Sequence, residues 1–165
     1  MGYGIGNSML DADRIEDVKR MAEKAKAAGT KLELPVDIVI AQEAKENAET
    51  RVVPADQIPD GWEGFDMGPE SVKLFSSYLT DAKLVIWNGP FGLFEIKPFD
   101  TATAAMAKAL AECDGFTIIG GGDSAAAVTQ MGFADKIDFI STGGGASLEF
   151  LEGKPLPGVT MLDDK

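Results

Sequence analysis

The sequence contains no histidine and a single cysteine, Cys113, among its 165 residues. Without histidine, the chain cannot carry a Ser-His-Asp or Cys-His catalytic group or a histidine-containing zinc site. One cysteine permits no internal disulfide, which excludes a disulfide-stapled secreted scaffold. These absences favour a protein of a reducing compartment, and we expect a cytoplasmic location.

Positive charge and long apolar runs are also scarce. Fifteen Lys and Arg residues stand against 27 Asp and Glu residues, giving a net charge of −12. Such an excess of negative charge argues against a nucleic-acid or anionic-membrane partner. No apolar run approaches the ~20 residues of a membrane span, and no basic-then-apolar signal sequence follows Met1. We therefore predict a soluble chain with no nucleic-acid partner and no membrane partner.

What remains is an ordinary globular composition, with 45 % hydrophobic and 25 % charged residues. This length suits one domain. In the C-terminal half an apolar strand, a glycine turn and a helix follow one another three times, with strands predicted at 84–87, 116–119 and 137–140 and helices at 101–112, 124–131 and 146–151. Strands that are apolar on both faces and separated by helices indicate an α/β fold, a Rossmann-like parallel sheet with helices on both faces.

The N-terminal half carries weaker signals. Ser8 resembles a helix cap, and apolar residues at helical spacing predict an amphipathic helix that ends before Gly29. Short strands are predicted at 31–34, 37–41 and 51–53. Turn residues over 54–65 predict a loop whose two large apolar residues, Trp62 and Phe65, pack on another part of the chain. A helix is predicted from Pro69 to about residue 82.

The glycine turns are the candidate ligand site, because ligands of such sheets bind beyond the carboxyl ends of the strands. Gly120, Gly121 and Gly122 stand between a strand and a helix, followed by Asp123 and Ser124. Glycine lets backbone N–H groups approach an anion, and a helix N-terminus adds partial positive charge, so a phosphate group is the natural ligand. The alternative is a tight turn that Asp123 caps. Because Asp123 would repel a phosphate, the binding interpretation requires a bridging Mg²⁺.

Two further turns belong to the same edge. Gly143, Gly144 and Gly145 form a second glycine turn between a strand and a helix, one strand later in the chain. Asn88-Gly89-Pro90 follows the first apolar strand. Glu95 could accept hydrogen bonds from ribose hydroxyls, or it could be an ordinary solvated glutamate. Between residues 84 and 150 only three lysines face eight acids, so backbone dipoles and a metal must hold any phosphate. The P-loop of the common NTPases is absent.

Together these segments resemble the phosphoglycerate kinase family, specifically the C-terminal part of its nucleotide-binding domain. The resemblance runs almost from end to end and rests on strings that include Gly6-Asn7-Ser8, Leu34-Pro35-Val36-Asp37, Ile58-Pro59-Asp60-Gly61-Trp62, Asp66-Met67-Gly68-Pro69, Val85-Ile86-Trp87-Asn88-Gly89-Pro90, 118–124 and 141–149. It implies transfer of the acyl phosphate of 1,3-bisphosphoglycerate to Mg-ADP, giving ATP and 3-phosphoglycerate. It also implies that residues 1–165 form a partial nucleotide-binding domain, truncated at its N-terminal side.

The resemblance implies a role for each matching residue. The nucleotide phosphates would meet the loop of Gly120, Gly121, Gly122, Asp123 and Ser124, with Asp123 near the metal. Gly64 and Phe65 would line the adenine pocket, Glu95 would bind ribose, and Asn88 and Pro90 would lie beside the nucleotide. Gly121, Gly143 and Gly144 would face the phosphoryl group in transfer. Ala44 departs from the family, which often has an aromatic residue on the adenine side.

The length is the larger departure, because members of the family are more than twice as long. The resemblance implies that the phosphoglycerate binds to an N-terminal domain that is missing here, together with a lysine-bearing glycine loop. The chain is therefore either the sequence of a phosphoglycerate kinase or a nucleotide-binding fragment without turnover. A weaker alternative is a Rossmann-like binder of another phosphorylated ligand. Full-length members are expected to be monomers, whereas this chain, with an exposed sheet edge and apolar face, is expected to self-associate.

Overall fold

The computed structural model describes residues 2–162. The strands are β1 (Gly4–Ile5), β2 (Asp37–Ala41), β3 (Arg51–Pro54), β4 (Gln57–Ile58), β5 (Glu63–Met67), β6 (Leu84–Asn88), β7 (Phe116–Gly120) and β8 (Phe139–Ser141). The α-helices are α1 (Ile15–Ala27), α2 (Pro69–Leu79), α3 (Thr101–Ala111), α4 (Gly122–Gln130), α5 (Gly144–Leu151) and α6 (Pro157–Thr160), and two 3₁₀ turns cover Ala12–Arg14 and Ala134–Lys136.

A parallel sheet in the order β6-β7-β8 organises the C-terminal half. α3 connects β6 to β7 and α4 connects β7 to β8, so the predicted alternation of strand and helix is confirmed. Trp87 and Ile119 on one face of the sheet pack against Leu110 of α3 and Val128 of α4. These side chains are buried and form the main core cluster. The mixed α/β class expected from the sequence is therefore the observed one.

The opposite face of this sheet is covered only in part. α5 lies over the carboxyl end of that face, where Ile118 and Phe139 line a groove together with Phe150. Toward the other end of the strands, Leu84 is 57 % exposed and Phe116 is 52 % exposed. Apolar side chains of a sheet are normally buried against another layer, so this face is a surface without a complete cover.

The N-terminal half forms an antiparallel sheet in the order β3-β2-β5, which the sequence did not predict. The expected strand over residues 31–34 is wrong, because these residues lie in an irregular segment and Leu32 and Leu34 are exposed. The loop expected over residues 54–65 is also partly wrong, because β4 lies within it and β5 begins within it. Trp62 is buried as expected, with the Arg51 guanidinium 4.1 Å from the ring centre.

Helix α1 forms where its apolar spacing predicts it, but it packs against little. Within the described range 2–162, no side chain of α1 is buried. Ile15, Val18 and Met21 are all exposed on this helix. The amphipathic pattern thus identifies the helix correctly. In the structure, however, the apolar side of the helix is exposed.

Asp37 joins the antiparallel sheet to the start of α2. Its carboxylate accepts hydrogen bonds from the Ser71 backbone N–H at 2.7 Å, the Ser71 hydroxyl at 2.6 Å and the Glu70 backbone N–H at 3.1 Å. Gly68 lies directly against this carboxylate, because a Cβ there would come within 2.2 Å of it. Asp37 therefore satisfies the free N–H groups of a helix whose own N-cap, Gly68, has no side chain.

We predict that Asp37→Ala lowers the free energy of unfolding by about 3 kcal/mol, because it leaves buried donors without a partner. Burial alone raises the pKa of Asp37, but the hydrogen bonds from Ser71 and Glu70 outweigh it and hold the pKa below its ordinary value of 3.8. The stabilisation is thus present above pH ~4 and is lost as the pH falls through the lowered pKa. Urea unfolding from pH 3 to 7 measures this, with the exposed Asp56→Ala as control; an equally stable Asp37→Ala protein would contradict it.

Candidate functional site

The two glycine turns touch each other at the carboxyl edge of the parallel sheet. The backbone N–H of Gly121 donates to the carbonyl of Ser141 at 2.8 Å, which joins the end of β7 to the end of β8. A Cβ on Gly144 would lie only 2.8 Å from the Cα of Gly121. Gly121 has a φ of +108°, a conformation that side chains other than glycine rarely adopt. Both positions therefore require glycine for a physical reason.

The turn after β6 is bonded to the same two loops. The Asn88 side-chain amide donates to the Gly144 carbonyl at 3.5 Å, and the Gly89 backbone N–H donates to the Ser124 hydroxyl at 2.8 Å. Ser124 is buried in the first turn of α4, with 1 % of its surface exposed. The structure thus brings together Asn88, Gly120 to Ser124, Gly143 and Gly144, as the sequence predicts for the ends of neighbouring parallel strands.

Helices α4 and α5 both begin at this cluster. Neither N-cap residue, Gly121 or Gly143, makes a side-chain capping hydrogen bond. Apart from neighbouring residues and the backbone of the same helix, no atom lies within 4 Å of the position that a Cβ on Gly122 or Gly145 would take, so the first turns are open. Free N–H groups and the positive ends of two helix dipoles therefore face accessible space, which is the arrangement that binds phosphate groups in many proteins.

Asp123 is the only acid in the first turn of α4, and its side chain is exposed. Within residues 2–162, no cluster of three or more His, Cys, Asp or Glu side chains could hold a metal ion by itself. A single carboxylate beside a phosphate site fits Mg²⁺, which usually keeps several waters and shares its remaining ligands with substrate phosphates. The residues present thus suit a metal that arrives with a nucleotide better than a resident one.

The residues expected around the base and ribose lie in a second group. Gly64, Phe65 and Pro90 line one cleft of about 600 Å³. The Phe65 ring itself is buried, with its centre 4.9 Å from that of Phe99. Glu95 is exposed in the loop after β6. Pro90 connects this group to the glycine turns, since it follows Asn88 and Gly89 in the chain.

Comparison with known proteins gives the family. The phosphoglycerate kinase family model matches residues 1–154. The chain belongs to the phosphoglycerate kinase family. It is 55 % identical to the cytosolic phosphoglycerate kinase of Nicotiana tabacum and 55 % identical to the phosphoglycerate kinase of Clostridium tetani, over 99 % of this chain and 41 % of each relative. The chain thus spans about two fifths of the length of these relatives.

Solved phosphoglycerate kinase structures share the fold. The enzyme of Coxiella burnetii superposes with a TM-score of 0.91 at 38 % identity, over 97 % of this chain and 41 % of that one. The enzyme of Pyrococcus horikoshii superposes with a TM-score of 0.71 at 26 % identity, over 96 % of this chain and 40 % of that one. In the described part of the chain, no helix has the length and apolar character needed to span a membrane.

Asp66 is a buried acid to which the sequence analysis gave no role. It lies in β5 with 4 % of its surface exposed, and its carboxylate accepts from the Met67 N–H at 2.8 Å and the Ala102 N–H at 3.0 Å. The second bond caps α3 from outside the helix. A Cβ on Gly92 would come within 2.5 Å of the same carboxylate, so Asp66 also supports the loop that carries Glu95. The sequence feature that could have identified Asp66 is an acid within a strand, directly before Met67-Gly68-Pro69.

We predict that Asp66 makes the protein less stable as the pH rises toward neutrality. Burial raises the pKa of Asp66 to about 6, with a smaller contribution from the charge of Asp100, against hydrogen bonds from Ala102 and Met67 that lower it. A folded-state pKa above the unfolded one favours the protonated form, so stabilisation is complete below pH ~4 and is lost as the pH rises through about 6. With no histidine in the chain, few other groups titrate there.

Urea unfolding between pH 5 and 7.5 measures this effect. Wild type should lose stability across the range, and Asp66→Asn should show little slope, because an amide does not titrate. Asp100→Asn is the matched control, and its slope should remain but move to lower pH. A slope that persists unchanged in Asp66→Asn would contradict the assignment.

We also predict opposite effects for two adjacent glycines of α5. Gly144→Ala places its Cβ against the Gly121 backbone and should lower the free energy of unfolding by about 1–2 kcal/mol, the cost of overpacking less the gain in helix propensity. Gly145→Ala meets no atom within 4 Å and should raise it by up to about 1 kcal/mol. Chemical denaturation measures both, and equal effects of the two substitutions would show that the loops do not touch.

Proposed function

We propose that this chain carries part of the nucleotide site of a phosphoglycerate kinase and acts in phosphoryl transfer between 1,3-bisphosphoglycerate and Mg-ADP. Membership of the family supports the reaction class. The observation that carries the proposal is the backbone contact between Gly121 and Gly144, which points two helix N-termini at one place. This arrangement can hold a polyphosphate in a region that has few cations.

The reaction needs positioning and charge neutralisation more than covalent participation by the protein. An oxygen of the ADP β-phosphate attacks the phosphorus of the acyl phosphate. The bond from that phosphorus to the carboxyl oxygen breaks, and its electron pair stays on the leaving carboxylate of 3-phosphoglycerate. We assign the Gly121, Gly143 and Gly144 turns to the transferring phosphoryl group, whose charge the N–H groups of the helical residues that follow these turns would stabilise.

The remaining residues would bind and orient the nucleotide. Backbone groups of Gly120 to Gly122 and the Ser124 region would meet its phosphates, with Asn88 and Pro90 alongside. Mg²⁺ would neutralise charge on the phosphates, and Asp123 would be its protein ligand. Gly64 and Phe65 would line the adenine pocket through the cleft they share with Pro90, and Glu95 would accept hydrogen bonds from ribose. Because the Phe65 ring is buried, its role would be to shape the wall rather than to stack.

The acceptor site and the location are also proposals. We assign residues 1–165 to the C-terminal nucleotide-binding domain and expect 3-phosphoglycerate to bind another part of the enzyme, since the relatives are more than twice as long. The excess of acids over lysines around the glycine turns supports this, because a phosphorylated carboxylate needs cations. The name of the tobacco relative includes "cytosolic", and we propose a cytoplasmic location here as well.

We predict that the chain binds Mg-ADP through the glycine turns. Gly121→Val should weaken binding at least tenfold, because a branched side chain would enter the phosphate region at a φ that valine rarely adopts. Gly132→Val, at a φ of +76° just after the far end of α4 and with open space around its Cβ, is the matched control and should bind within a factor of about three. Calorimetric titration measures both, with circular dichroism to confirm folding. Equal affinity of wild type and a folded Gly121→Val protein would remove the loop from the site.

A coupled kinase assay separates the two functions still open. We expect Mg-ADP binding without ATP formation from the 165-residue chain alone. Proximity of the two substrates supplies much of the rate, and we assign the site of the second substrate to another part of the enzyme. Adding the remaining N-terminal part of the tobacco relative should restore turnover. Robust ATP formation by the chain alone would show instead that it holds both substrates, and absence of binding would contradict the nucleotide site itself.

A further inference from the structure

The loop between β6 and α3 carries several of the residues that we assign to the nucleotide. It runs from Gly89 to Asp100 and contains Pro90 and Glu95. These residues form neither helix nor strand, so the shape of the loop depends on the contacts that its backbone makes with other elements. Three such contacts lie within residues 89–93.

One buried hydroxyl group holds the start of this loop. The Phe91 backbone N–H donates a hydrogen bond to Thr103 Oγ1 at 2.9 Å, and the Thr103 hydroxyl donates to the Phe91 carbonyl. Thr103 lies in the first turn of α3 and has no exposed surface. A threonine hydroxyl is both a donor and an acceptor, so one side chain satisfies both backbone groups of Phe91.

These two hydrogen bonds close the loop at its base. Phe91 stands near the beginning of the loop, and Thr103 lies twelve positions later, just after its end. Glu95 lies between the two residues, so their contact limits where its carboxylate can reach. A loop without this closure has many conformations, and ordering them when a ligand binds costs free energy.

Two further contacts join the loop to both groups of the candidate site. The Gly89 N–H donates to Ser124 in the first turn of α4 at 2.8 Å. The Leu93 N–H donates at 3.0 Å to the carbonyl of Phe65, which lines the cleft that we assign to adenine. Phe91 is midway between Gly89 and Leu93 in the chain. Its contact with α3 therefore holds the segment that connects the phosphate region with the adenine cleft.

We propose that Thr103 is a positioning residue for nucleotide binding, because its hydroxyl holds the β6–α3 loop where Glu95 can reach the ribose. This inference rests on the proposed function, which assigns Glu95 to the ribose. Thr103 is fully buried, so it acts through the loop and not by contact with the ligand. A hydroxyl in a helix often bonds to the backbone of its own helix, whereas both hydrogen bonds of Thr103 go to the loop.

Thr117 provides a matched control. Its hydroxyl donates to the Asp138 carboxylate at 2.9 Å and accepts from the Asp138 backbone N–H at 3.1 Å. Thr117 is 2 % exposed and lies near the amino end of β7, whereas the glycine turns follow the carboxyl ends of the strands. Replacing either threonine with valine removes two buried hydrogen bonds, so we expect both variants to lose stability. Only the change at Thr103 should alter the nucleotide site.

Calorimetric titration of the 165-residue chain with Mg-ADP and with Mg-2′,3′-dideoxy-ADP tests the proposal. The second nucleotide lacks both ribose hydroxyls that could donate to Glu95, so wild type should bind it about fivefold more weakly. Thr103→Val should bind ADP at least about fivefold more weakly than wild type and should bind the two nucleotides within about a factor of two of each other. Thr103→Ser, which keeps the hydroxyl, and Thr117→Val should both behave like wild type.

The ratio of the two dissociation constants separates positioning from stability. A loss of stability alone would weaken the binding of both nucleotides by the same factor and leave their ratio unchanged. A folded Thr103→Val protein with the affinity and the ratio of Thr117→Val would overturn the positioning role and leave the nucleotide site in place. A wild-type chain that binds both nucleotides equally would overturn it through the ribose role of Glu95. Failure of wild type to bind Mg-ADP would contradict the proposed function as well.

Amide hydrogen exchange on the wild-type chain supplies a measurement that needs no variant. The Phe91 N–H is bonded to Thr103, and the Thr117 N–H is bonded to the Asp138 carboxylate. If the loop is part of the nucleotide site, Mg-ADP should slow exchange at Phe91 more than at Thr117. Equal slowing of the two amides would overturn the proposal, because the ligand would then stabilise the fold without acting on the loop.

Discussion

The close approach of two backbones, at Gly121 and Gly144, is the constraint on which the candidate site depends. Strands β7 and β8 lie side by side in parallel register, with Gly120 opposite Ser141, so their following turns leave the sheet at the same level. Only residues without side chains allow these turns to touch. The contact then determines where α4 and α5 begin, and therefore where their free N–H groups point. A phosphate site in an acidic chain follows from backbone geometry rather than from cationic side chains.

Elsewhere in the fold, two buried acids accept hydrogen bonds from the N–H groups at the start of a helix. Asp37 and Asp66 each extend from a strand to the start of a helix whose own N-cap makes no side-chain bond. The two carboxylates differ in pKa because their surroundings differ. Asp37 receives enough hydrogen bonds to offset its burial, whereas Asp66 does not. Among residues 2–162, no buried acid caps α4 or α5 in this way, which leaves the first turns of these helices available to a ligand.

The sequence predicted the C-terminal half well for a physical reason. Continuous apolar runs such as 84–87, ended by glycine, have few alternatives to a buried parallel strand. The antiparallel sheet was missed because β5 contains two acids and a glycine, and because its partner strand, β2, is distant in the chain. The burial of Asp66 and the exposure of the apolar side of α1 were also beyond prediction, because both depend on what neighbouring elements supply. The residue roles at the nucleotide site remain proposals that rest on resemblance and geometry.

The most direct test of the account is a titration of the ¹⁵N-labelled chain with Mg-ADP, followed by the chemical shifts of backbone amides. Glycine amides fall in a sparsely populated region of the spectrum, so both turns can be followed individually. The account predicts the largest shifts at Gly121, Gly122, Gly144 and Gly145, with smaller ones at Asn88 and Glu95. Saturating Mg-ADP that leaves the amides of both glycine turns unmoved would contradict it.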